Sequence, residues 1–299
     1  MKILKVVLIF SIICLGLASC TKKDVEIIHE NAVVTGNESP PYSEIPTILI
    51  EAYVNKLYID LVARQPSETE LANDVQNLKA DTLNEAARLA IITRLQQTSE
   101  YYNALDELMR SRFLNSVDTI SIRNDLDEYR YDEYLYDSLG LNFQAQAAKV
   151  EGDRLQAVLE APIDYQSGLI NFNEYNQRLC LNDIYDDINM GADNFVLACY
   201  ETMFGRLPNG SELDDARSMV YGGQRILYGI SGASKTELVT ILTTIDEFYE
   251  GLIYNTYLNI LVRQPTDLEI SERLVTIKND KRIENLQADL LKTDEYAGF

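Results

Sequence analysis

Apolar side chains recur at helical spacing around three tyrosines, Tyr58, Tyr200 and Tyr257. The spacing is i, i+3, i+4, i+7 and i+8, which is the buried stripe of an amphipathic helix. The three stripes consist of Val54, Leu57, Tyr58, Leu61 and Val62; of Val196, Cys199, Tyr200, Met203 and Phe204; and of Ile253, Tyr257, Ile260 and Leu261. Thr256 is the one polar residue within the third stripe. The pattern predicts a helix at each tyrosine.

The residues that follow each tyrosine are also repeated. An arginine, a proline and a glutamate return in the same register as Arg64, Pro66 and Glu70, as Arg206, Pro208 and Glu212, and as Arg263, Pro265 and Glu269. A proline disfavours helical geometry in the residue before it, so each helix is predicted to end near its arginine. Ser67, Asn209 or Thr266 comes next, and with the glutamate three residues later it forms a capping box. This predicts a tight turn into a second helix.

The arginines have two explanations from the sequence. A cation at the C-terminus of a helix interacts favourably with the helix dipole, and a planar guanidinium can hold one of the glutamates through two hydrogen bonds. The alternative is that the three arginines together bind a ligand. The first explanation is local and applies equally to all three copies.

Each copy closes on a Glu-Tyr or Glu-Phe pair, at residues 100–101, 247–248 and 295–296, after a third apolar helix. The sequence therefore predicts an all-α fold of repeated three-helix units packed around a helical insert, with about a dozen helices. The predicted divisions are a signal peptide at 1–19, a lipidated cysteine and flexible tether at 20–45, units at 46–104, 195–248 and 249–299, and the insert at 105–194.

The skeleton Tyr-x5-Arg-x-Pro-x3-Glu with its closing pair resembles a small helical domain of unknown function found in bacterial secreted and cell-surface proteins. The segment 204–209, Phe-Gly-Arg-Leu-Pro-Asn, is the copy most similar to the Gly-Arg-x-Pro-Asp pattern of that family. The chain departs from the family in lacking its Gly-x-x-x-Trp after the proline. The resemblance implies interaction or scaffolding outside the cell and no catalysis.

The N-terminal residues predict where in the cell the protein is located. A basic start is followed by an apolar run of twelve residues from Val6 to Leu17, which is too short to span a membrane and typical of a signal peptide. Residues 17–20, Leu-Ala-Ser-Cys, resemble the lipobox of bacterial lipoproteins, which implies cleavage before Cys20 and lipid on that cysteine. Thr21 favours the outer membrane over inner-membrane retention. The face of that membrane stays open, with the cell surface favoured over the periplasmic side.

Composition excludes several kinds of site. The chain carries 47 acidic and 26 basic side chains, a net charge of −21, which disfavours binding to nucleic acid. His29, the one histidine, lies in the tether, so the body lacks histidine for zinc sites or catalytic triads. No phosphate-binding loop, dinucleotide fingerprint or EF-hand loop is present. The sequence therefore predicts no enzyme, no cofactor and no metal site.

Two further features of the sequence each allow a structural and a functional interpretation. The oxygen-rich segment 182–194 fits no known calcium loop and is interpreted as an acidic helix end and turn. Cys180 and Cys199 could pair in an oxidising compartment, but Cys199 lies on an apolar helix face and is predicted to be a small buried side chain.

The insert contains four closely spaced tyrosines, Tyr129, Tyr131, Tyr134 and Tyr136. They either form a platform that binds a peptide or sugar, or pack under the repeats with their hydroxyls at the rim. They are the candidate partner-binding residues. The expected function is a non-catalytic envelope lipoprotein that acts as an interaction or scaffold module for envelope or surface proteins. The alternatives are a surface glycan-capturing lipoprotein and, less favoured, a hydrolase that uses a carboxylate pair; the absence of tryptophan counts against glycan binding.

Overall fold

A computed structural model describes residues 45–299, which form fifteen helices and one short β-hairpin. The predicted all-α fold is confirmed for this part of the chain. The predicted signal peptide, Cys20 and all but the last residue of the predicted tether lie outside the described residues. None of the described helices is both long enough and apolar enough to cross a bilayer.

The helices are α1 Thr47–Val62, α2 Glu68–Ala80, α3 Glu85–Gln96, α4 Ser99–Phe113, α5 Thr119–Ser138, α6 Asn142–Ser167, α7 Phe172–Cys180, α8 Asp183–Ile188, α9 Ala192–Phe204, α10 Gly210–Val220, α11 Lys235–Leu242, α12 Asp246–Leu261, α13 Asp267–Asp280, α14 Ile283–Leu291 and α15 Asp294–Ala297. The strands are β1 Arg225–Leu227 and β2 Ile230–Gly232. The count exceeds the predicted dozen because some helices, such as α8 and α15, are only one or two turns long.

The motif helices α1, α9 and α12 end in the same way. The residue after each helix, Ala63, Gly205 or Val262, adopts the left-handed conformation with φ of 54°, 68° or 55°. Glycine takes this conformation without strain, whereas alanine and a β-branched valine do not. The predicted capping boxes then start α2, α10 and α13. The turn is kept in all three copies even where the residue at its left-handed position is strained.

The tyrosine stripes lie in one continuous core. Tyr58, Tyr200 and Tyr257 are fully buried, and the core runs through α1, α4, α9, α12 and α14. Helix α12 packs against α9, while α14 packs against α3 of the first unit. The Tyr53 hydroxyl of α1 donates to the Leu291 carbonyl of α14 at 3.1 Å. The third unit therefore packs on both of the others, which a linear stack of units does not predict.

The loop expected between α10 and α11 contains an antiparallel β-hairpin that the sequence analysis missed. Arg225 pairs with Gly232 and Leu227 with Ile230. Its turn residues, Tyr228 and Gly229, have φ of 52° and 78°, as a type I′ turn requires. The strands are three residues long and two of the three positions in each are exposed, so they carry little alternating pattern from which to recognise them.

The insert is helical, as expected, and contains the longest helices. Helices α5 and α6 form an antiparallel pair, called here the α5–α6 hairpin, connected through Leu139, Gly140 and Leu141. In α5 only Ile122 and Leu126, both near its start, are buried. Tyr129 still packs against the core and α8, but residues 130–138 of α5 are half-buried or exposed, so the far half of the hairpin projects from the body.

The two cysteines are buried free thiols in this core. Cys199 lies on the buried face of α9, as predicted, and accepts a hydrogen bond from the Tyr185 hydroxyl at 3.6 Å. Burial raises the pKa of the Cys180 thiol well above its ordinary value.

Candidate functional site

Each motif arginine holds two glutamates at once, an arrangement called here the arginine clamp. Arg64 contacts Glu70 with both Nη atoms, at 2.9 and 2.8 Å, and contacts Glu100 through Nε and Nη2, at 2.9 and 3.1 Å. The same pattern joins Arg206 to Glu212 and Glu247, and Arg263 to Glu269 and Glu295. The second glutamate of each set comes from the closing pair, 36, 41 or 32 residues from its arginine.

The clamp uses the whole donor capacity of the guanidinium. A guanidinium has five N–H groups, and Arg64 directs four to the two carboxylates and one to the Gln65 carbonyl at 3.0 Å. It also lies over the Tyr58 ring, 5.2 Å from its centre. Arg206 and Arg263 make the equivalent carbonyl and ring contacts. No N–H is left to bind a ligand, so the geometry supports the structural explanation of the arginines.

Each clamp joins three helix ends. The arginine follows the first helix, one glutamate lies in the first turn of the second, and the other lies in the first turn of α4, α12 or α15. Cation and carboxylates thus also interact favourably with the helix dipoles. The clamp therefore sets the angle between helices that are distant in sequence.

The environment of the motif tyrosines differs between copies. The Tyr58 hydroxyl donates to Asp74 at 3.0 Å. The Tyr200 hydroxyl accepts from Tyr228 of the β-hairpin at 3.1 Å. In the third copy the guanidinium of Arg273 lies over the ring, 5.1 Å from its centre. Each copy of the motif therefore has its own contacts around the tyrosine, and the repeat pattern did not predict them.

The clamp predicts a dependence of stability on pH. Hydrogen bonds from the arginine hold the pKa of Glu70, Glu212 and Glu269 at about 2, against an ordinary 4.5. A lowered pKa means that each glutamate stabilises the fold fully above about pH 4.5 and loses this contribution as the pH falls to about 2. We expect the urea midpoint to fall steeply over that range.

A triple variant, Glu70→Gln with Glu212→Gln and Glu269→Gln, isolates the charge, because glutamine also completes a capping box. It should be less stable than wild type at pH 7 and lose less stability between pH 4.5 and 2. The control replaces Glu107, Glu128 and Glu250, exposed glutamates for which residues 45–299 show no ion pair. A wild-type pH profile in the triple variant would show that the clamp charges do not stabilise the fold.

The structure does not bring the four candidate tyrosines of the insert together. Tyr131 and Tyr134 are exposed on one side of α5. Tyr129 and Tyr136 lie on another side, half-buried, and the Tyr129 hydroxyl donates to Asp183 of α8. The helical period explains the split, because positions 129 and 136 are two turns apart whereas 131 and 134 share a different face. The four tyrosines therefore do not form a single platform, and the set divides into two pairs.

Tyr129 and Tyr136 contribute to an open groove of about 520 Å³ on the α5–α6 hairpin, called here the α5–α6 groove. Phe143, Ala147 and Val150 of α6 form most of its apolar wall. Beside it lies a cleft of about 290 Å³ that shares Tyr129 and Asp132 with the groove. The carboxylates of that cleft belong to Asp125, Glu128, Asp132, Asp183 and Asp187. The arrangement is an apolar groove with an acidic border.

No group of three His, Cys, Asp or Glu side chains in the range 45–299 is placed to hold a metal ion. In the segment 182–194, Asn182 caps α8 by accepting from the Tyr185 N–H at 3.0 Å, and Asp183 accepts from Tyr129. Comparison of the chain with family models, curated proteins and solved structures gives no match.

Proposed function

We propose that this protein is a non-catalytic lipoprotein of the cell envelope that binds a protein partner through the α5–α6 hairpin, as an accessory subunit of an outer-membrane or surface assembly. The observation that carries the proposal is the exposure of large apolar side chains on the projecting half of the hairpin. Tyr134 is 73% exposed and Phe143 is 84% exposed. Leu139 and Leu141, at the connection between the helices, are also exposed.

A protein partner suits this surface better than a small molecule does. Aromatic side chains give a large contact area at small entropy cost and are enriched where proteins meet. Contiguous exposed apolar surface is uncommon on proteins that work alone. The acidic border of the groove favours a partner whose contact surface is basic around an apolar centre. Such a border would also slow binding to an acidic partner, which sharpens selectivity.

Attachment to the membrane through lipid on Cys20 is the second part of the proposal. It rests on the lipobox and the signal peptide. Several acyl chains anchor a protein stably where one does not. The tether of about twenty residues would then let the body reach a membrane-embedded partner.

The test is a pull-down of the full-length lipidated protein from membranes in mild detergent. One variant replaces two groove residues, Phe143→Ser with Val150→Ser. The matched control replaces two exposed apolar residues of α13, Leu268→Ser with Val275→Ser. We expect a stoichiometric partner with wild type and control, its loss with the groove variant, and equal melting temperatures. A fatty-acid analogue fed to the same cells should label wild type and not Cys20→Ala.

Several outcomes would contradict the proposal. A partner retained by the groove variant would place the contact elsewhere. A hit on a glycan array without any protein partner would favour the glycan-capturing alternative. Product released from a polysaccharide would favour the hydrolase.

A further inference from the structure

A second concave surface lies between α1 and α12, away from the α5–α6 hairpin. It is a cleft of about 260 Å³, called here the interhelical cleft, and α4 and α14 complete its walls. Leu61 and Ile260, which are equivalent positions of the first and third motifs, both line it. Leu105 and Met109 of α4 line it and are buried. The walls are thus mostly apolar.

One cation and one carboxylate line this cleft, the guanidinium of Arg112 and the exposed Asp60, which accepts a hydrogen bond from the Tyr296 hydroxyl at 2.7 Å. The one protein hydrogen bond of Arg112 is donated by Nη2 to the Thr202 carbonyl in the last turn of α9. No carboxylate within residues 45–299 forms an ion pair with it. Its neighbour Arg110, in contrast, is paired with Asp106 at 2.8 Å. Burial lowers the pKa of Arg112.

This lack of an anion is unusual for the molecule. The chain has 47 acidic side chains against 26 basic ones, so carboxylates are in excess. Within the described range, every other arginine that is not fully exposed has a carboxylate partner; Arg123, the remaining unpaired arginine, is exposed. A cation that is largely removed from water without an anion is costly, and Arg112 is half-buried. Arg112 therefore has unused capacity to bind one.

Amide groups supply further polar contacts beside Arg112. Gln287 lines the cleft, and its side-chain carbonyl accepts from the Tyr101 hydroxyl at 2.6 Å, which leaves its amide N–H groups as donors. Asn255 uses its NH₂ group on the Gly251 carbonyl at 2.7 Å. Apart from the exposed Asp60, the cleft combines a cation and amide groups with apolar walls. This composition is complementary to an anion attached to an apolar body.

We propose that the interhelical cleft binds a small carboxylate with an apolar body. The carboxylate accepts hydrogen bonds from Arg112, and the apolar body packs among Leu105, Met109 and Ile260. The volume suits a molecule somewhat larger than benzene, which fills an engineered cavity of about 150 Å³. The site is separate from the proposed partner contact on the α5–α6 hairpin, so an experiment can contradict one proposal without contradicting the other.

The experiment measures binding of 3-phenylpropionate and of the neutral 3-phenylpropanamide to the full-length protein by calorimetry and ligand-observed NMR. Octanoate and hexanoate extend the series. The variants are Arg112→Met, Leu108→Trp, which fills the exposed rim of the cleft, and the control Arg123→Met. All samples contain the same detergent, so partitioning into micelles cancels between them.

We expect wild type and Arg123→Met to bind the carboxylates, and Arg112→Met to bind them about tenfold or more weakly, the usual cost of losing a charged hydrogen bond. The amide should bind weakly to wild type and be unaffected by Arg112→Met. Should Arg112→Met fail to fold, Leu108→Trp decides, since it keeps the arginine and should abolish binding.

Equal affinity of wild type for carboxylate and amide would overturn the proposal, as would the absence of binding by the whole series at millimolar concentration. A lower melting temperature in Arg112→Met with unchanged carboxylate binding would show that Arg112 serves only to cap α9.

Discussion

Glu284→Leu is expected to lower the free energy of unfolding by about 3–5 kcal/mol, the usual cost of removing one partner from a buried charged network. The Glu284 side chain, at the start of α14, is only 9% exposed. It accepts hydrogen bonds from Tyr165, Tyr102 and Arg282, which come from α6, α4 and the residue before α14. Leucine would leave all three donors without their acceptor.

The network also connects different parts of the chain. Tyr165 lies in the insert and Tyr102 at the end of the first unit, so Glu284 joins both to the third unit. Burial first, and then the charge of Glu284, raise the pKa of Tyr102 to about 12. The guanidinium of Arg282 lies over the Tyr165 ring, 4.1 Å from its centre. Each group is therefore held by at least two others, and loss of the central carboxylate affects the whole set.

Urea denaturation of wild type, Glu284→Leu and Glu284→Gln measures the effect. Glutamine keeps the shape of the side chain and one acceptor oxygen, so the free energy of unfolding of Glu284→Gln should lie between those of wild type and Glu284→Leu. Glu250→Leu, at an exposed position of α12, serves as the control and should change stability little. A Glu284→Leu protein as stable as wild type would mean that apolar packing replaces the network without loss.

Gly251→Ala is expected to lower the free energy of unfolding by about 2–3 kcal/mol, although alanine normally favours a helix over glycine. Gly251 lies within α12, where that helix crosses the C-terminal end of α9. A Cβ atom at this position would lie 2.4 Å from the backbone carbonyl oxygen of Met203. Backbone cannot move aside as a flexible side chain does, so α12 would have to shift away from α9.

The control is Gly210→Ala, at the first position of α10. A Cβ atom there meets nothing within 4 Å, and the backbone conformation is one that alanine adopts. This variant should match wild type or exceed it slightly, because alanine loses less entropy on folding. If thermal melting places both alanine variants at wild-type stability, the close approach of α12 to α9 is looser than these distances indicate.

The sequence alone predicts the local structure of this protein. The tyrosine stripes, the turn after each arginine and the capping boxes at Ser67, Asn209 and Thr266 all depend on residues within a few positions of one another. Capping and helical periodicity act over such distances, so the pattern alone predicts them. The bond between each arginine and the glutamate six positions later belongs to the same class.

Contacts between distant segments were decided by the tertiary structure. The second glutamate of each clamp lies 32 to 41 residues from its arginine, and Arg112 reaches Thr202 across 90 residues. The hydrogen bond from Tyr129 to Asp183 of α8 spans 54 residues, and the close approach at Gly251 depends on how α12 crosses α9. Which side chains meet across such intervals depends on helix packing angles, which follow from the shape of the whole core and not from any local pattern. Hence the sequence determined the helices and their ends, whereas packing decided where an unpaired arginine and an exposed apolar groove are found.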